Sequence, residues 1–213
     1  MTELVFIRHG ETDWNRQQRF QGQIDVPLNA TGHAQAAALA ARRAAEAALQ
    51  ADFFVSSDLQ RARQTAEPLA RAWQREPKLN ALLREQAFGE WEGLDGPTIR
   101  ERWPALWSRW LEHRADDSAP GGETPRQFHA RVLQAVRELA EAAGAGRRVL
   151  VVTHGGVLDM LWRTAHGEPL DGLRRCDIPN AGVNRLRWAG GTLHVDSWAD
   201  ASHLDGLAPP LRP

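Results

Sequence analysis

The sequence predicts an α/β protein: a three-layer α/β/α sandwich with a largely parallel central sheet and an antiparallel edge. Three observations predict it. Short apolar runs alternate with longer stretches of helical spacing, the order expected of βα units. Two of those runs, around Leu4–Ile7 and Val149–Val152, lack polar alternation, as strands buried on both faces do. Near the end, two strand-like segments split by Gly190-Gly191 read as a hairpin.

Residues 3–8 form the first strand. The Ala-rich stretch 31–50, with Leu39 and Leu49, forms a helix with Thr31 at its N-cap. Residues 52–56 form the second strand. Residues 58–74 form a helix capped by Asp58, which Pro68 should kink. Residues 76–94 are loop-rich. Within 95–115, Trp103, Trp107 and Trp110 recur at helical spacing as core or lid packing, and Pro104 suits the first turn of a new helix. Residues 116–123 are a loop. Thr124-Pro125 opens a helix to about Ala143, with Phe128, Val132, Ala135, Val136 and Leu139 on its apolar face. After Gly144 and Gly146 come the strand 149–152 and an apolar helix to about Thr164. The hairpin follows at 183–188 and 192–198. A tail with Pro209, Pro210 and Pro213 is expected to be loosely ordered. The chain reads as one domain over 1–213, with a variable cap at about 94–123.

Composition narrows the function classes. Of 213 residues, 42% are apolar, enough for a sizeable core and too many for wholesale disorder. Lys+Arg 26 against Asp+Glu 27 gives a net charge of −1, so there is no global basic field for nucleic acid. Cys176 is the one cysteine, which excludes an internal disulfide and a multi-thiolate metal site. No signal-peptide pattern and no membrane-spanning run is present, so the expectation is a cytoplasmic monomer or homodimer with no membrane partner. There are nine Trp and no Tyr, and Lys78 is the only lysine.

The chemistry gathers at strand ends. The first strand ends in Arg8-His9-Gly10-Glu11-Thr12, and the strand at 149–152 ends in Thr153-His154-Gly155. Ligands of open α/β sheets bind at the carboxyl ends of parallel strands, so these His-Gly pairs are expected to meet in one crevice. Ser56 to Thr65, Ser-Ser-Asp-Leu-Gln-Arg-Ala-Arg-Gln-Thr, follows the second strand and enters a helix, a suitable anion site with Arg61 in its first turn. Cations and imidazoles crowded at one pole call for a dianionic phosphate, whose oxygens match guanidinium forks. The loop from Leu83 to Gly93 offers three glutamates, Glu85, Glu90 and Glu92, as the acid that protonates a leaving alkoxide. Local sequence does not choose among them. The other six histidines, His33, His113, His129, His166, His194 and His203, show no ligand spacing and read as structural or surface groups, which disfavours a zinc hydrolase.

In their order, these motifs resemble the histidine phosphatase superfamily, the phosphoglycerate-mutase-like group, over residues 4 to about 163. The Phe88-Gly89-x-Trp91-Glu92-Gly93 string and the Pro120-Gly121-Gly122-Glu123 loop resemble its small phosphatase branch. The resemblance implies that His9 is the nucleophile that becomes phosphohistidine, with Glu85 as proton donor and later base. It implies a phosphate pocket of Arg8, Arg61 and His154, with Asn15 completing it. Gln21, Gly22, Arg63 and Gly155 fall where the family lines its site. It implies a metal-independent phosphomonoesterase with no cofactor, acting on small phosphate esters. The alternatives are a phosphoglycerate mutase primed by 2,3-bisphosphoglycerate and a non-catalytic phosphate-binding module. Mutases of the group resemble one another in a Tyr three residues after the acid, a downstream Lys and an Arg-Arg pair. Here Phe88 stands at the first, no Lys follows Lys78, and Ser108-Arg109 is the nearest parallel to the pair. Those buried polar partners hold the mutase substrate, so their absence favours hydrolysis. Specificity is expected to lie in 94–123.

Overall fold

The computed structural model describes residues 1–45 and 50–207; Leu49 and the tail prolines Pro209, Pro210 and Pro213 lie outside the described residues. In chain order come β1 (Thr2–Arg8), α1 (Asp13–Arg16), α2 (Ala30–Ala45), β2 (Phe53–Ser56), α3 (Gln60–Trp73) and β3 (Lys78–Leu79). Then follow α4 (Gly96–Arg102), α5 (Pro104–Trp110), α6 (Pro125–Ala143), β4 (Arg148–Thr153), α7 (Gly155–His166), β5 (Val183–Ala189) and β6 (Thr192–Asp200).

The six strands form one sheet in the order β3-β2-β4-β1-β5-β6. β1, β2, β3 and β4 pair in parallel, and β5 and β6 add the antiparallel edge. The apolar runs behave as expected of central strands. Leu4 and Phe6 of β1, with Val149 and Val151 of β4, face α6 and α7 through Phe128, Val132, Val136, Leu158 and Leu161. The alternate residues Val5, Ile7, Leu150 and Val152 face the other way, onto Leu39 of α2 and Ala62, Ala66 and Leu69 of α3. The period of two along each strand divides the core into two layers, one on each side of the sheet. Each fully buried Leu, Val or Phe contributes about 1.5–3 kcal/mol of transfer free energy.

Several expectations shift in detail. Asn29, not Thr31, serves the start of α2: its Oδ1 accepts the Gly32 N–H at 2.9 Å. Asp58 does not cap α3, which starts at Gln60 after Leu59. It forms a two-pronged ion pair with Arg84 at 2.8 and 2.5 Å. α3 continues through Pro68, whose missing N–H removes one bond of the ladder without ending the helix. The segment read as loop-rich contributes β3, two residues long, too short for any pattern to reveal. Thr124 and Gln127 close a capping box at the start of α6, and Pro104 opens α5.

A third, smaller cluster lies outside the two layers. Trp91, Ile99 and Ala119 are buried together, with Phe20, Phe88, Trp107 and Trp110 packed on them. Phe20 lies edge-on to Phe88, Trp91 and Trp110 with centroids 5.1–5.9 Å apart, the favoured aromatic geometry. The Trp stripe of 95–115 is thus packing, as its spacing indicates, and Trp110 also reaches the cavity described next.

Candidate active site

β1 and β4 are adjacent and parallel, and their register pairs Arg8 with Thr153. The next residue on each is a histidine. Neighbouring strands lie about 4.8 Å apart, so two such residues are delivered side by side. The rings of His9 and His154 are indeed 5.2 Å apart. β2 flanks β4 on the other side, and the Ser57 N–H bonds the Val152 carbonyl at 2.9 Å. This brings Ser57 Oγ to His154 Nε2, at 2.8 Å. The three strand ends thus converge below a cavity of about 740 Å³.

His9 is 2% exposed, and its Nδ1 lies 2.7 Å from the Gly10 carbonyl oxygen. A carbonyl only accepts, so Nδ1 carries the proton and Nε2 keeps a free lone pair. Burial, with the nearby Arg61 and Arg8 charges, holds the imidazole well below its ordinary range, hence neutral. His154 has no exposed surface and is held low by burial first, then by Arg61, His9 and Arg8. Ser57 Oγ accepts from the Leu59 N–H at 3.4 Å and keeps a proton to give; in the tautomer where it donates to His154 Nε2, His154 Nδ1–H is a donor.

Arg61 enters from the first turn of α3 and is fully buried. Its two terminal nitrogens donate to the carbonyls of Ile24 (2.9 Å) and Gly22 (2.7 Å), which fixes the fork. Arg8 is anchored by a 2.5 Å bond to the Ile178 carbonyl. Burial pushes both guanidinium groups down to about 10, so both stay charged at neutral pH. Three enclosed nitrogens around His9 have no hydrogen-bond partner: Arg8 Nε, Arg61 Nε and His154 Nδ1. Buried donors are nearly always satisfied. A cationic cluster with unused N–H groups beside a neutral imidazole has the chemistry to receive a tetrahedral oxyanion.

Glu85 is the glutamate of the 83–93 loop that lines this cavity. Its Oε1 accepts the Gln86 N–H at 2.9 Å and its Oε2 the Gly156 N–H at 3.0 Å. A Cβ on Gly156 would come within 2.1 Å of Glu85 Oε1, and one on Gly155 within 3.3 Å of Arg8 Nε. The paired glycines at the start of α7 let both side chains approach. Glu90 is exposed. Glu92 is spent on the loop itself, accepting the N–H groups of Gln23 (3.0 Å) and Phe88 (2.9 Å).

The remaining predicted residues divide. Asn15 and Gln21 line the cavity and are tied through Thr12, whose hydroxyl bonds Asn15 Oδ1 (3.1 Å) and Gln21 Oε1 (2.9 Å). Gly22 lines it too, at φ +51, where a Cβ would strike Glu92. Gly155 lies under Arg8 rather than in the lining. Arg63 is not brought to the cavity and is exposed. It follows Arg61 by two residues, about 200° around the helix, so the two cannot share a face.

Some contributors carry no clear sequence signal. Asn180, in the turn before β5, donates to the His9 carbonyl at 3.0 Å. Thr65 Oγ1 accepts the Gly10 N–H at 2.8 Å. Arg131 of α6 donates to the carbonyls of Leu82 (2.8 Å), Arg84 (3.0 Å) and Glu85 (3.1 Å), and forms a two-pronged pair with Glu123. It clamps the Glu85 loop. His113, read as structural or surface, lies at the cavity rim with Arg114 and Asp117, so the 94–123 segment does reach the site. Among the described residues, no group of three or more His, Cys, Asp or Glu is placed to hold a metal ion, and no helix is long and apolar enough to cross a membrane.

The chain is similar to known proteins over nearly its whole length. Residues 4–201 match the family model of the histidine phosphatase superfamily (branch 1). The chain is 35% identical to a metal-independent phosphoserine phosphatase of Arabidopsis thaliana, over 97% of this chain and 85% of the relative. It is 34% identical to a probable phosphoglycerate mutase, GpmB, of Salmonella paratyphi C, over 98% and 97%. Among solved structures, YhfR of Bacillus stearothermophilus superposes with a TM-score of 0.87 at 32% identity, covering 96% of this chain and 100% of that one. A mycobacterial glucosyl-3-phosphoglycerate phosphatase solved with VO3 superposes at 0.78 with 30% identity, covering 93% and 98%.

Proposed function

The chain belongs to the histidine phosphatase superfamily, and we propose that within it the protein is a metal-independent phosphomonoesterase of small phosphorylated metabolites, working through a phosphohistidine on His9. The observation that carries this reading is the set of enclosed, unpartnered N–H groups of Arg8, Arg61 and His154 around a neutral His9. Phosphoryl transfer needs in-line placement and compensation of charge on three equatorial oxygens. The two fixed guanidinium groups supply that charge, and the neutral His154 adds a hydrogen-bond donor.

In the first step His9 Nε2 attacks phosphorus and the ester P–O bond breaks. The Glu85 carboxyl passes its proton to the departing alkoxide. In the second step Glu85, now a carboxylate, takes a proton from water, whose oxygen attacks the phosphohistidine. The P–N bond breaks, orthophosphate leaves, and both residues return to their starting state. Asn15 and Gln21 complete the phosphate side, and the 94–123 segment caps the leaving-group side. A dianionic ester is favoured over a neutral ligand, because two buried cations otherwise face each other unpaired.

The test is His9→Ala, which should abolish phosphate release from p-nitrophenyl phosphate and block ³²P labelling of the denatured protein. Retained labelling overturns the nucleophile assignment. The mutase reading has relatives named for it, such as GpmB of Salmonella paratyphi C. Phe88 lines the cavity where mutases carry Tyr, which favours transfer to water. 3-Phosphoglycerate with 2,3-bisphosphoglycerate is therefore the discriminating substrate pair. Isomerisation faster than phosphate release overturns the phosphatase reading.

A further inference from the structure

One wall of the cavity is a stripe of α7. Gly156, Asp159, Met160 and Arg163 stand at i, i+3, i+4 and i+7, and all four line the cavity. Gly156 is the residue that Glu85 grips. Asp159 therefore lies on the face that meets Glu85, about 4.5 Å further along the helix axis. Glu85 serves the ester oxygen, so this wall runs along the leaving group.

Asp159 is 7% exposed. Its Oδ2 accepts from Arg163 Nε at 3.1 Å. Its Oδ1 is enclosed and has no hydrogen bond. Arg163 cannot turn to it, because its other nitrogens hold the carbonyls of Pro169 (2.5 Å), Asp171 (3.2 Å) and Gly172 (2.8 Å). The exposed Arg174, also at the cavity, has its Nε 3.8 Å from Oδ1, beyond hydrogen-bond distance. A buried acceptor and a donor thus face each other across a gap that neither closes.

We propose that Asp159 is a specificity-determining residue of this site: with Arg174 it selects leaving groups that carry a hydroxyl two or three carbons from the ester oxygen. This rests on the phosphatase reading above. As the exposed Arg174 side chain shifts to uncover Oδ1, a hydroxyl about 2.8 Å from both groups donates to Oδ1 and accepts from Arg174 at once. An ammonium only donates, and it meets the charges of Arg163 and Arg174. An alkyl chain leaves Oδ1 with the long contact to Arg174 and no hydrogen bond, the costly outcome for a buried acceptor. Monoesters of polyols and hydroxy acids fit; simple alkyl and amino esters do not.

The experiment is kcat/KM of the full chain on propyl, hydroxypropyl and aminopropyl phosphate, esters of equal chain length. The hydroxyl ester should exceed the other two by about 10–100-fold. Asp159→Asn keeps an oxygen for Arg163 and turns an amide N–H toward the gap, so the preference should fall about tenfold or more. Arg174→Leu, at an exposed position, should reduce it as well. The wild-type series tests the preference without any substitution. Equal turnover of the three esters, a best rate on the amino ester, or an undiminished preference in Asp159→Asn overturns the proposal while leaving the phosphatase reading standing. No turnover of any ester, p-nitrophenyl phosphate included, overturns both.

Discussion

Consider a fall from about pH 7 to about pH 5.5. Burial, with the charges of Arg61 and Arg8, holds His9 and His154 well below the ordinary imidazole range, so both stay neutral in the folded protein. In the unfolded chain each titrates near about 6.5. Below that value the unfolded state binds more protons than the folded state. Their contribution is fully present above the unfolded pKa and is lost as pH falls toward the folded one. Integrating the linkage relation over this window gives about 1.2 kcal/mol for each histidine and about 2.5 kcal/mol for the two. Asp58, Glu123 and Asp200, all held low first or mainly by arginine hydrogen bonds or against their own desolvation, are ionised in both states here and add nothing. His129, lowered by its burial and Arg126, adds a smaller loss of the same sign. The assay is urea unfolding followed by Trp fluorescence at the two pH values. With a urea slope of about 2–3 kcal/mol per molar, the midpoint should fall by about 1 M. His154→Gln should retain only about half of that fall. A wild-type midpoint that does not move, or a variant that keeps the whole shift, refutes the claim that these imidazoles are buried neutral.

Glu85→Gln should cost roughly 10²–10⁴-fold with alkyl esters and much less with p-nitrophenyl phosphate, whose leaving group scarcely needs a proton; equal losses on both contradict a proton donor. Chelators should leave turnover unchanged and orthovanadate should inhibit competitively, as a trigonal-bipyramidal species filling the unused donors of Arg8, Arg61 and His154; loss of activity with EDTA contradicts the metal-independent reading. Arg131→Met leaves three carbonyls and Glu123 without their donor, so it should cost about 2–4 kcal/mol by thermal or urea melts and lower kcat through a loosened Glu85 loop; unchanged stability and kcat would show that the clamp is idle.

The legible parts of the fold were those with long, uninterrupted patterns. β1 and β4 announce themselves as unbroken apolar runs because both faces of a central parallel strand are buried. α6 announces itself by Thr124, Pro125 and a clean apolar face. β3 did not, because two exposed residues carry no period. The caps of α2 and α3 were misplaced by the same rule that usually finds them. Thr31 and Asp58 are good capping types, but Asn29 stood nearer the helix start and Arg84 claimed Asp58. In the site, the motif residues carried by strand ends were legible. Arg63 was placed there by its position in the motif, and helical geometry turns it away.

What the sequence determined by itself was the alternation of strands and helices, the two His-Gly strand ends, the cationic character of one pole and the family. Each depends on residues near one another in the chain. The family resemblance pointed to Glu85 among three glutamates, but only the tertiary structure showed that it lines the pocket, that Arg131 and Asn180 brace it, and that Asp159 keeps an oxygen with no hydrogen bond beside Arg174. The contacts of Arg131 with Glu85 and of Asn180 with His9 join residues 46 and 171 apart. Hydrogen-bond satisfaction is set by what surrounds a group in space, and no local pattern records it.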